Sequence, residues 1–85
     1  MVVDGYNKVK DSVEILALIE QDNSVPKNVR ERIKNSIVAL EEKNIDVAIK
    51  INRSLQELDE ISEDPNVPTY TRTQIWNVVS LLESI

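Results

Sequence analysis

Apolar residues recur along the chain at helical spacing. Tyr6, Val9, Val13 and Leu16 follow a 3-4-3 rhythm, and Ile15, Leu18 and Ile19 widen that stripe. Val29, Ile33, Ile37 and Leu40 make a second stripe, and Ala48, Ile51, Leu55, Leu58 and Ile61 a third. A fourth runs through Ile75, Val79 and Leu82, with Val78, Leu81 and Ile85 beside it. No segment alternates apolar and polar residues between turn signals, so strands are not expected.

The breaks between stripes are punctuated. Asp22-Asn23-Ser24-Val25-Pro26 and Asp64-Pro65-Asn66-Val67-Pro68 read as turns. Proline disfavours helical geometry in the residue before it but suits a first helical turn, so each Val-Pro ends a connection and opens a helix. Between the halves, Asn44 is a candidate left-handed C′ residue and Asp46 a candidate N-cap; Asp4 is a candidate cap for the first helix. The pattern predicts helices over 4–21, 27–42, 46–63 and 69–84.

The second half repeats the first. Shifting Ser12–Glu41 by 42 residues onto Ser54–Glu83 makes eleven of thirty pairs identical, including Leu16/Leu58, Ile19/Ile61, Asp22/Asp64, Pro26/Pro68, Arg30/Arg72 and Ile33/Ile75. A period of this size points to a repeated structural unit. Here the unit is a helical hairpin, in halves about 4–42 and 46–84. Two hairpins with short joints bury four stripes most simply as one all-α domain over 1–85, a four-helix bundle with antiparallel neighbours. The alternative is an open two-repeat solenoid. Stacked repeats need about three units to close a core, which favours the bundle.

Two resemblances fall on these residues. Leu18-Ile19-Glu20-Gln21-Asp22, followed by Val29-Arg30 and Ala39-Leu40, is similar to a degenerate HEAT repeat. The second half departs from it, because Thr71 stands where a valine would precede Arg72. The stretch Asp22–Arg30, together with Glu60–Pro68 and Thr71–Ser80, resembles uncharacterised protein family 0147 of archaea over nearly the whole chain. That resemblance implies a small four-helix bundle. It carries no activity and no catalytic or binding residue.

Composition narrows the chemistry. The 85 residues include no Cys, no His and one Gly. This removes disulfides, thiol nucleophiles, the commonest general base, the usual zinc ligands and glycine-rich phosphate loops. The Glu-x-x-His pattern of di-iron bundles cannot occur. Glu57/Glu60 and Glu60/Glu63 are paired carboxylates, but on a charged, wet helix face with no desolvating pocket to fit them for acid–base work. The acidic run Glu57, Asp59, Glu60, Glu63 and Asp64 matches no calcium loop; pairing with the basic second helix is its plain reading. The expectation is a non-enzyme with no cofactor, no metal and no small-molecule substrate. Neither a signal-peptide run nor a membrane-length apolar stretch is present, and a cytoplasmic location follows by default.

Three features remain as candidate contacts. Asp22/Arg30 and Asp64/Arg72 are either charged partner contacts or braces in which each Asp holds its turn and each Arg reaches back to backbone carbonyls. Lys27, Arg30, Arg32 and Lys34 form the only dense basic run and would serve an RNA- or ribosome-associated factor. The net charge of −5 and the lack of interleaved aromatics argue against it. Trp76 replaces Lys34 of the first half, a position expected to be exposed, on a helix whose apolar arc is wide for a small bundle. The leading expectation is therefore a protein–protein or self-associating module that uses Trp76, Val78, Leu81 and Ile85, with Tyr70 nearby.

Overall fold

The computed structural model describes the backbone of residues 2–85 and the side chains of residues 7–85. The chain forms helices α1 (Val2–Glu20), α2 (Lys27–Glu41), α3 (Val47–Ser62) and α4 (Thr69–Glu83). Each joint follows from local chemistry. The Asp22 carboxylate accepts from the Ser24 backbone N–H at 2.9 Å and from its hydroxyl at 2.7 Å. The Asp64 carboxylate accepts from the Asn66 N–H at 2.9 Å. Pro26 and Pro68 then take the N-cap positions, and their carbonyls receive the first helical bonds from the Arg30 and Arg72 N–H groups, each at 3.0 Å. Asp46 caps α3 through the Ala48 N–H at 2.9 Å.

Two details differ from the expected caps. Asn44 is left-handed at φ 66°, but Glu42 is the C-cap of α2 with extended geometry, so Asn44 lies one position beyond C′. Helix α1 already runs from Val2. The side chains of Asp4 and Tyr6 lie outside the described residues.

The helices close into a ring. α1 packs on α2, α2 on α3, α3 on α4 and α4 on α1, and among the described residues no backbones approach closely across the diagonals. The contact between α1 and α4 decides for the bundle over the open solenoid. The core joins Leu16 and Ile19 of α1, Val29, Ile33 and Leu40 of α2, Ile51, Leu58 and Ile61 of α3, and Ile75, Val78 and Leu82 of α4. Val25 and Val67, each just before a proline, plug the two upper turns into that core.

Four hydroxyl residues complete the interior: Ser12, Ser36, Ser54 and Thr71. Ser12 and Ser54 stand one turn before Leu16 and Leu58, in register with the core stripe. The Ser36 and Ser54 hydroxyls bond each other at 2.5 Å, while the Ser12 hydroxyl donates back to the Lys8 carbonyl at 2.8 Å. Two expected core positions face water instead. Leu18 is exposed because the α1 core stripe centres on Ser12, Leu16 and Ile19, which leaves Leu18 on the outer edge. Ala48 is exposed in the first turn of α3, ahead of the buried residues Ile51, Ser54, Leu58 and Ile61.

Candidate interaction surface

The charged candidates are largely spent inside the chain. Arg30 is half-buried, and its Nε donates to the Val25 carbonyl at 3.0 Å. Arg72 reaches back in the same way, its Nη2 donating to the Asp64 carbonyl at 2.8 Å. Both arginines therefore brace their own turns. The hydrogen bonds from Ser24 hold the Asp22 carboxyl below the ordinary aspartate range, with the Arg30 charge a smaller contribution.

Arg32 is committed to the neighbouring helix. Its Nε lies 3.2 Å from Glu57 and its Nη2 2.7 Å from Glu60, a clasp of α2 on α3. The hydrogen bond that Arg32 donates to the Glu57 carboxylate is the largest influence raising the Arg32 pKa. Of the acidic run, Glu57 and Glu60 thus pair within the chain. Of the basic run, Lys27 and Lys34 stay exposed, Arg30 is turned onto backbone and Arg32 is neutralised. The four do not form one free cationic face. Among the described residues, no group of His, Cys, Asp or Glu side chains could hold a metal ion, and no helix is long and apolar enough to cross a membrane. A hollow beside Val38, Glu41, Glu42, Lys43 and Asn44 is open to solvent and holds no acid–base pair set apart from water.

Helix α4 divides the aromatic candidates between its flanks. Trp76 is 58% exposed and Tyr70 71% exposed. Their separation of six residues places them about 120° apart around the axis. Tyr70, Gln74 and Leu81 share one flank at i, i+4 and i+11, whereas Trp76 lies with Arg72 and Val79 on the other. Leu81 is half-buried and Ile85 is exposed at the chain end. Val78 is a correction: it is 0% exposed, because Thr71, Ile75, Val78 and Leu82 form the true core stripe of α4. It is not available to a partner. Leu18, 62% exposed, is an apolar surface residue that the periodicity had assigned to the interior.

The model of the uncharacterised protein family UPF0147 matches residues 1–85. The chain belongs to this family. A UPF0147 protein of Sulfurisphaera tokodaii is 40% identical over 82 residues, covering 96% of this chain and 92% of the relative. A UPF0147 protein of Aeropyrum pernix is 35% identical, covering 96% and 90%. Two crystal structures share the fold. One, a family member from Thermoplasma acidophilum, matches with a TM-score of 0.90 at 33% identity, covering 95% of each chain. The other, an unknown-function protein called MMP1188, also matches with a TM-score of 0.90, at 41% identity, covering 94% of this chain and 91% of that one. These relatives are described by family or as of unknown function, and none of the four descriptions names an activity.

Proposed function

We propose that the chain is a non-catalytic contact module that works by binding protein through exposed residues of α4. The observation that carries this reading is the pair of large aromatics, Trp76 and Tyr70, standing in solvent on a helix whose own core stripe is already complete. Aromatic side chains supply most of the energy of protein contacts, and exposing them without a partner has no benefit for folding. The supply of polar chemistry agrees: Arg30 and Arg72 brace turns, and Arg32 with Glu57 and Glu60 clasps α2 to α3.

The RNA reading is weaker, since only Lys27 and Lys34 remain uncommitted within its basic run. The test is affinity purification from native cells with the intact chain, Trp76→Ala, and a Lys27→Ala/Lys34→Ala double variant. The contact reading expects a stoichiometric protein partner that is lost with Trp76→Ala and kept by the lysine variant. Retention of RNA, falling steeply with salt and lost with the lysine variant, would overturn it.

A further inference from the structure

Helix α4 carries only two charged residues, of opposite sign, and both stand on one flank. Arg72, Trp76, Val79 and Glu83 follow one another at i, i+4, i+7 and i+11, a single line down the helix. This flank borders α3, because the Arg72 Nη2 donates to the Asp64 carbonyl in the joint between the two helices. The opposite flank, with Gln74, borders α1, where the Lys8 Nζ reaches the Ser84 carbonyl at 3.1 Å and Ile15 follows two turns on.

Neither charge of the line has a counter-charge. Among the described residues the ion pairs are those of Arg32, so Arg72 meets no carboxylate and Glu83 no cation. Both also stand at the wrong end of α4. Arg72 lies one turn from the N-terminus and Glu83 closes the C-terminus, where the helix dipole favours the reverse signs. Between them Trp76 is largely exposed and Val79 half-buried.

The line is symmetric about its middle. Arg72 and Glu83 are eleven residues apart, about 16 Å along the axis, and their midpoint is also the midpoint of Trp76 and Val79. A two-fold axis through that point, at right angles to α4, lays a second α4 antiparallel on the first. Each Arg72 then meets the partner's Glu83, and each Trp76 the partner's Val79, the reciprocity that an isologous contact requires.

We propose that the chain self-associates as a two-fold dimer along this line, with two Arg72–Glu83 pairs closing over Trp76 and Val79. This rests on reading the chain as a contact module and names its partner and surface. Charge selects a second copy as the occupant. A molecule of net charge −5 repels its like, so copies meet favourably only where the surface supplies its own counter-charges. The line supplies one of each sign, at places that exchange under the two-fold. The antiparallel partner also sets an anion beside the N-terminal end of α4 and a cation beside its C-terminal end, relieving both conflicts with the dipole. Asp59 is the neighbouring charge. Glu57 and Glu60 face α2, so exposed Asp59 stands with Leu55 and Ser62 on the flank of α3 towards α4. It lies three residues before the end of α3, level with Arg72 three residues after the start of α4. Each Arg72 in the dimer thus has carboxylates on two sides, as Arg32 has in Glu57 and Glu60. One helix flank is a small contact, so the dimer is reversible.

Sedimentation equilibrium of the full chain, from tens of micromolar to about one millimolar, tests this. The mass should rise from 9.7 kDa towards twice that value. Trp76 is the sole tryptophan, so its fluorescence should move to shorter wavelength over the same range. Trp76→Ala and Glu83→Arg should each weaken association by roughly tenfold or more. Glu31→Arg, at an exposed site on α2 away from the line, is the control. Glu83→Arg and Glu31→Arg both take the net charge from −5 to −3, one negative charge being lost and one positive gained. General repulsion alone makes both variants associate more tightly, whereas the pairing makes Glu83→Arg associate less. Tyr70→Ala, on the other flank, should change nothing, and circular dichroism should show all variants equally helical. A chain that stays monomeric, tighter association of Glu83→Arg, or a rise in mass without the fluorescence shift would overturn the proposal. A monomeric chain that still retains a Trp76-dependent protein partner would remove the dimer while sparing the contact-module reading.

Discussion

The hydroxyls of Ser36 and Ser54 bond to each other at 2.5 Å in the buried packing of α2 on α3. Small side chains let two helices approach closely there, and each hydroxyl satisfies the other. Removing one leaves its partner to find another acceptor, such as the carbonyl one turn back that Ser12 already uses. Ser36→Ala or Ser54→Ala alone should cost about 1 kcal/mol, and the double variant little more than either single one. Chemical denaturation of the four proteins in a double-mutant cycle measures the coupling. Strict additivity would show that the hydroxyls do not depend on each other.

One turn before Ser36, Arg32 clasps Glu57 and Glu60. Its side chain keeps 34% of its exposure, so solvent screens the pairs. Arg32→Ala should destabilise by about 1 kcal/mol or less at low salt, as partly exposed pairs do. The gap from the native chain should narrow in high salt, because screening weakens the clasp it removes. Melting curves at two ionic strengths decide this.

Asp22 gives the chain an acid-sensitive turn. Its folded pKa lies below the ordinary value, so the folded state binds that proton less readily than the unfolded chain. The stabilisation is complete above the ordinary aspartate pKa, about 4, and is lost as pH falls through the lower folded value. Asp22→Asn keeps an oxygen for Ser24 but removes the titration. Its melting temperature should trail the native chain near neutrality, and the difference should shrink below about pH 4.

Asn44 holds the joint between the halves at φ 66°. Asn tolerates this region, Gly adopts it freely and Ala does not. Asn44→Gly should be neutral or slightly stabilising, and Asn44→Ala should cost about 1 kcal/mol. Thermal melts of the pair provide the comparison.

Helix positions were legible because punctuation and periodicity agreed. The Val-Pro pairs set the starts of α2 and α4, Asp46 set the start of α3, and the matched residues Leu16/Leu58, Ile19/Ile61 and Ile33/Ile75 all fall in the core. The turn braces were readable from the recurrence of Asp and Arg at equivalent places. The misreadings share one cause. Hydrophobicity marks a broad arc, while burial depends on the centre of the packed face. Thr71, Ser12, Ser36 and Ser54 are polar yet central, whereas Leu18 and Ala48 are apolar yet peripheral. Val78 looked like surplus on α4 because Thr71 was not counted in its core stripe. The shared serines one turn before Leu16 and Leu58 were the available signal for the true register.

The closed ring also bears on how the chain reaches its native state. Three of its four contacts join helices consecutive in sequence and can form early, with short loops to close. The fourth brings the first and last helices together and must wait for the longest excursion of the chain. Ile15 and Gln74 sit at that last joint. Substitutions there should therefore speed unfolding while barely altering the refolding rate, whereas shortening Val25 or Val67 should slow the first collapse.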